Sequence, residues 1–275
     1  MYSKQRRQKV AALTRISRYP VKGLSAEDLA EVGLSAGRGL PGDRIFALAL
    51  ADTDFDELNP RPIPKTKFAV LARFPRLAAL KTKLDVPSSI FSMRHEESTV
   101  ATGNLETQTG RDAIEEAVHS FMGDELGGRP RVVKGTGHRF TDVSVHSPML
   151  MEAISVINLA SVRDLESKLG RRVDPRRFRA NLLLDGLDPW IEFDWIDREL
   201  QIGNVKFRGV RRTRRCPATE VNPDTAQTDI RVPLELRDHY GHADMGIYIT
   251  VLAGGTLRIG DVAKTLGGGD IRHDN

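Results

Sequence analysis

The densest chemistry in this chain lies in the tract Arg208-Gly209-Val210-Arg211-Arg212-Thr213-Arg214-Arg215-Cys216-Pro217-Ala218-Thr219-Glu220-Val221-Asn222-Pro223-Asp224. Cys216, the only cysteine, follows two arginines, and positive potential there favours the thiolate, the form that attacks electrophiles and binds metals. A lone cysteine is otherwise commonly a small buried hydrophobe, a reading its arginine neighbours argue against. One cysteine excludes intrachain disulfides, multi-thiolate zinc sites and protein-held iron–sulfur clusters. Redox chemistry in this chain therefore needs a cofactor held by other means. Basic residues thicken again at Arg171-Arg172 and at Arg176, Arg177 and Arg179, a pattern that suits an anionic small ligand. His242, in Gly241-His242-Ala243-Asp244, is either a structural histidine or a proton relay on a loop that folds back toward the cysteine.

Those residues need a scaffold, and the 275-residue chain, 40% hydrophobic and 28% charged, is able to bury one. Its 41 basic and 37 acidic residues leave a net charge of +4, less than a dedicated nucleic-acid binder carries, and aromatics at 6% are too few to interleave a base-stacking surface. No apolar run is long enough to span a membrane, and Met1 to Arg7 leads into no apolar signal core, so the expected address is the cytoplasm.

Short apolar runs bounded by Gly and Pro read as strands: Leu13–Ile16, Tyr19–Gly23 and Arg44–Leu50. The proline-rich stretch 51–67 reads as an exposed loop and Leu77–Leu84 as a strand. A helix is expected from Thr109, capped by Asp112 and stopped by Gly123, and a second over Ser161–Leu169 ending at Gly170. From Asn181 onward the pattern is β-rich, with Arg179 and Asn181 on one face of a strand. The fold class is mainly β (α+β), with few helices and no Gly-rich phosphate loop or strand–helix alternation.

Cys216 and its tract resemble the cysteine motif of the MOSC family, the molybdenum-cofactor sulfurase C-terminal domain. Tyr19-Pro20-Val21-Lys22-Gly23 is similar to the family's opening strand and turn, and Leu40-Pro41-Gly42-Asp43-Arg44 to its Gly-x-x-x-Asp-Arg segment. Arg73-Phe74-Pro75-Arg76-Leu77 resembles a later Arg-Pro-Arg-Leu element, and Phe178-Arg179-Ala180-Asn181 its Phe-Arg-Pro-Asn signature. Gly246-Ile247-Tyr248 and Arg258-Ile259-Gly260-Asp261 resemble the closing strands. The elements keep the family's order over nearly the whole chain.

The resemblance implies an N-terminal β-barrel domain over 10–108, a β-barrel MOSC domain over 109–265 and a disordered tail over 266–275. It implies a pyranopterin molybdenum cofactor with Cys216 as the metal ligand, and Lys22, Arg44, Arg73, Arg179, Asn181 and Arg215 around its phosphate and pterin. The implied activity is reduction of N-hydroxylated or N-oxide-type small molecules, fed by a separate flavin, haem or iron–sulfur electron donor. The alternative is a sulfur carrier using a Cys216 persulfide. Three departures stand out: Gly23 replaces the Ser or Cys that often follows the opening lysine, Ala180 replaces proline, and His146-Ser147-Pro148 lies early for the reductases' Thr-Ser-Pro turn.

Overall fold

Strand Ala11–Arg18 shows how the architecture closes. Its apolar residues Ala11, Leu13 and Ile16 turn to one side and are buried. One edge pairs antiparallel with Leu182–Asp185, Ile16 facing Leu182 and Leu13 facing Leu184. The other pairs with Val262–Leu266 and then with Glu27–Leu29. The circuit runs on through Glu199–Ile202, Val205–Arg214, Asp244–Ala253 and Ile154–Asn158, the last parallel to Leu182–Asp185. Seven strands thus form a closed barrel in which no edge is left open. Ile154, Val156, Leu200, Val205, Phe207, Ile247 and Ile249 fill it, each less than 2% exposed. This computed structural model describes residues 11–144 and 147–266. Of the expected tail over 266–275, Leu266 is the last residue of strand Val262–Leu266 and residues 267–275 lie outside the described residues, as does His146.

The fold is mainly β, as the sequence indicated. Residues between the first barrel strand and the rest form two smaller sheets. One joins Val21–Lys22, Phe46–Ala49 and Arg131–Lys134; the other is a meander of Leu80–Asp85, Ile90–His95 and Ser98–Asn104. Leu80, Leu84, Phe91 and Met93 pack with Ile114, Val118 and Met122 of helix Gln108–Met122. The helix approaches the meander backbone to backbone: a Cβ at Gly103 would fall 2.3 Å from the Gly110 carbonyl oxygen. Only glycine fits there.

Several local expectations change. The first helix is capped by Thr107, whose side chain accepts from the Gly110 N–H, so Asp112 lies inside the helix rather than at its cap. The second runs Leu159–Leu169, capped by Asn158 and closed by Gly170 at φ 64. Pro75–Ala79 is a 3₁₀ turn, and the strand begins only at Leu80. Helix Val232–Tyr240 interrupts the β-rich C-terminal region; its proline sits in the first turn, where the missing N–H has no intrahelical partner to lose. Among the described residues no helix is long and apolar enough to cross a membrane.

Candidate functional site

Residues from the two parts of the chain meet around a cavity of about 450 Å³. Lys22, Arg44, Arg179, Asn181, Arg215 and Cys216, the residues singled out by motif, all line it. Arg73 does not: it is exposed, its guanidinium over the Phe74 ring at 4.9 Å. Nor does His242, which packs against Phe193, Trp190 and Tyr240 and uses Nδ1 to accept the Asp244 N–H.

The opening turn positions Lys22. Gly23 takes φ 88, and a Cβ there would fall 2.1 Å from the Ala69 carbonyl oxygen. The hydroxyl that a serine would offer is therefore unavailable without moving backbone, which accounts for the glycine. Lys22 itself is buried, donating to the Phe140 carbonyl at 3.0 Å and to Asp142 Oδ1 at 2.5 Å. Burial lowers its pKa, and Asp142 partly offsets that. Lys65 donates to the other oxygen of Asp142 at 3.1 Å. Burial alone would raise the Asp142 carboxyl, but Lys22 and Lys65 together hold it well below the usual range.

Arg44 and Arg179 form a second unit. Both have φ 51, an uncommon left-handed conformation for arginine, and both guanidinium groups lie over the Tyr19 ring, at 4.6 and 4.4 Å. Arg44 bonds Asp43 at 2.6 Å and the Arg179 carbonyl at 2.8 Å. Burial opposes its charge, yet Asp43 keeps its pKa above the usual value. Arg179 differs, because its guanidinium has no hydrogen-bond partner among the described residues, and burial draws its pKa down to about 10. The expected strand is absent here: Arg179 terminates the 3₁₀ turn Pro175–Phe178, and the strand starts at Leu182. Arg179 and Asn181 still reach one cavity, by turn geometry rather than by strand alternation.

Asn181 and Arg215 hold the walls. Asn181 accepts from the Ser155 N–H and hydroxyl and donates to the Ser17 carbonyl. Arg215 donates to the carbonyls of Met245 and Phe178. Cys216 is half-buried and lines the cavity together with Lys65, on the loop that the sequence marked only as exposed. Burial opposes the charge of Lys65, but Asp142 and then Cys216 more than offset this, so its pKa is raised. The sole sequence signal for Lys65 was its setting among three prolines, a loop with few conformations to choose from.

The cavity as a whole asks for an anion. Lys22, Lys65, Arg44, Arg177, Arg179, Arg211, Arg212, Arg214 and Arg215 line it against the single carboxylate of Asp142. Thr141 and Thr213 line it too, their hydroxyls buried in the wall without a partner among the described residues. Nine cations around one carboxylate leave positive charge in the cavity that an anionic guest would neutralise. A group carrying a phosphate and a soft metal fits this donor set: arginines and lysines for the phosphate and Cys216 for the metal. Among the described residues no three His, Cys, Asp or Glu side chains are grouped to hold a metal ion, so a metal at Cys216 brings its other ligands with it.

Residues 135–264 match the MOSC domain and residues 10–129 the MOSC N-terminal beta barrel domain. The chain is 35% identical over 124 residues to mitochondrial amidoxime-reducing component 1 of Mus musculus, and 32% identical over 124 residues to that of Homo sapiens. Each match covers 41% of this chain and 36% of the relative, so the chain spans about a third of the length of these relatives. Among solved structures, the YuaD protein from Bacillus subtilis is similar over 92% of this chain and 94% of its own, at 12% identity and a TM-score of 0.41.

Proposed function

The chain belongs to the MOSC family, matching both its N-terminal barrel domain and the MOSC domain itself, and from that premise we propose that it is an oxidoreductase which holds a molybdenum pyranopterin in the 450 Å³ cavity and reduces N-hydroxylated compounds there. One observation carries the reading: the only cysteine of the chain lines the same cavity as nine cationic side chains. The similarity to the amidoxime-reducing components points to the substrate class.

The bound group supplies two-electron chemistry at the metal. Net reaction converts an N–OH and two electrons with two protons into N–H and water. Arg179, lacking an acceptor of its own, binds the cofactor's phosphate together with Lys22, and Arg44 holds Arg179 in place through its carbonyl. Cys216 would hold the metal, and Lys65 sets a positive charge on the same cavity wall. Asn181 and Arg215 keep the walls fixed and are positioning residues. With one cysteine the chain has no ligand set for a cluster, so electrons come from a separate flavin, haem or iron–sulfur protein.

The test is elemental and pterin analysis of protein produced in a host that makes the cofactor, followed by assay with an artificial electron donor. We expect molybdenum near one per chain, and we expect Cys216→Ser to fold but to lose activity and shift the thiolate-to-metal absorption. Protein that carries no molybdenum, yet accepts a persulfide sulfur on Cys216, would make it a sulfur carrier instead.

A further inference from the structure

A second cavity, of about 340 Å³, lies beside the first. Lys22, Lys65, Thr141 and Asp142 line both, so the Lys22–Asp142–Lys65 ion bridge is their common wall. The remaining lining is mostly apolar: Ile63, Pro64, Phe68, His138 and Phe140.

The back of this cavity is rigid. Phe68 and Phe140 are 3% and 2% exposed and belong to one cluster with Ala47, Ala49, Phe55 and Val133. Phe140 meets Phe68 edge to face at 5.3 Å and His138 at 5.0 Å. The rim is the loop with Pro60, Pro62 and Pro64, whose rings fix the backbone that presents Ile63. Glu57 ties that loop down, accepting the Lys134 N–H and pairing with Arg111. At Gly135 a Cβ would fall 2.6 Å from that of His138 and 3.0 Å from that of Pro60, so the loop closes tightly over the turn that carries the histidine. The shape therefore exists before any ligand arrives, which lowers the cost of binding one.

One polar group lining it has no partner: the His138 ring makes no hydrogen bond among the described residues. The charged groups of this cavity are the Lys22–Asp142–Lys65 bridge that it shares with the cavity of Cys216, and the aromatic and aliphatic side chains make the rest of its wall. The volume is near the small end of ligand pockets, roughly 300–1,000 Å³, which suits a single ring better than a polycyclic body.

We propose that this cavity holds the apolar body of the substrate, one aryl ring or a branched alkyl group of similar size, against Ile63, Phe68, His138 and Phe140, while the N–OH end crosses the common wall to the metal ligand. The proposal rests on the reductase reading and adds the residues that set its specificity. Ile63 and His138 discriminate among substrates, and the Lys22–Asp142–Lys65 bridge orients the polar end.

The experiment compares a phenyl-bearing and a methyl-bearing N-hydroxyamidine. Ile63→Trp, which fills the cavity from a partly buried loop position, should lower kcat/KM for the phenyl compound tenfold or more, mainly through KM, and leave the methyl compound within twofold. Ile63→Ala, which only removes contact area, should raise KM for the phenyl compound a few-fold. Independently, saturation transfer from cofactor-free protein to the phenyl protons should be strong in the parent and lost in Ile63→Trp. Equal kinetic responses of the two compounds, or saturation transfer unchanged by Ile63→Trp, would overturn the proposal. A parent that reduces neither compound defeats the reductase reading alone, and saturation transfer then decides whether the cavity takes an aryl body.

Discussion

His138 and His242 each sit in a box of aromatic rings, and the box of His138 lines a cavity. His242 has Phe193 at 5.5 Å, Trp190 at 6.0 Å and Tyr240 at 6.2 Å, and His138 has Phe140 at 5.0 Å and Phe55 at 6.2 Å. Around His242 several polar atoms are engaged. Its Nδ1 accepts the Asp244 N–H, Trp190 and Tyr240 both donate to Asp164, and the nearby Met245 carbonyl takes the Arg215 guanidinium. The His138 ring has no hydrogen-bond partner among the described residues, and it lines a cavity of about 340 Å³. An aromatic–histidine cluster is thus a packing solution in itself. It becomes a binding site where space and unengaged polar atoms coincide.

The largest effect that would sharpen this contrast is on stability. Arg215→Ala strands two buried carbonyls and should cost about 3–5 kcal/mol in urea unfolding, given roughly 1–3 kcal/mol per abandoned buried group. Arg179→Ala strands none, so it should lower pterin content while leaving the melting temperature nearly unchanged. If the two variants melt alike, Arg215 is not what closes its region.

Kinetics give the next test. His138→Phe should raise KM for the phenyl N-hydroxyamidine about fivefold with molybdenum content intact. His242→Phe should leave both kinetic constants alone and cost about 1 kcal/mol for the lost bond to the Asp244 N–H. Equal kinetic effects at the two positions would break the comparison.

The smallest effect is on pH dependence. Burial, and then the charge of Lys22, lower the His138 pKa below 6.5. The unfolded chain therefore takes up this proton first, so the contribution to stability is complete above about pH 6.5 and is lost as the pH falls below it. His138→Phe should flatten that part of the melting-temperature profile relative to the parent. An identical slope would mean that His138 titrates alike in both states.

Much of the site was legible because its residues sit in short motifs whose types carry chemistry. Lys22, Arg44, Arg179 and Cys216 were named from such motifs, and all reach one cavity. Arg73, chosen by the same reasoning, projects into solvent over Phe74, because a residue type does not specify the direction of its side chain. Lys65 was invisible as a site residue: its partners Asp142 and Cys216 are remote in the chain, and a lysine in a proline-rich loop looks like any surface charge. Pro233 likewise hid a helix by occupying its first turn.

By itself the sequence determined what local chemistry decides. β-branched and apolar runs punctuated by Gly and Pro make strands, Gly123 and Gly170 end helices, and a single cysteine removes whole classes of redox site. Only the tertiary structure decided that strand Ala11–Arg18 closes a barrel with strands from the other end of the chain, and that the proline loop stands over His138 beside Cys216. The reason is physical. Which polar atoms remain unengaged, and where space remains, depends on all the long-range contacts at once, and no local pattern encodes that sum.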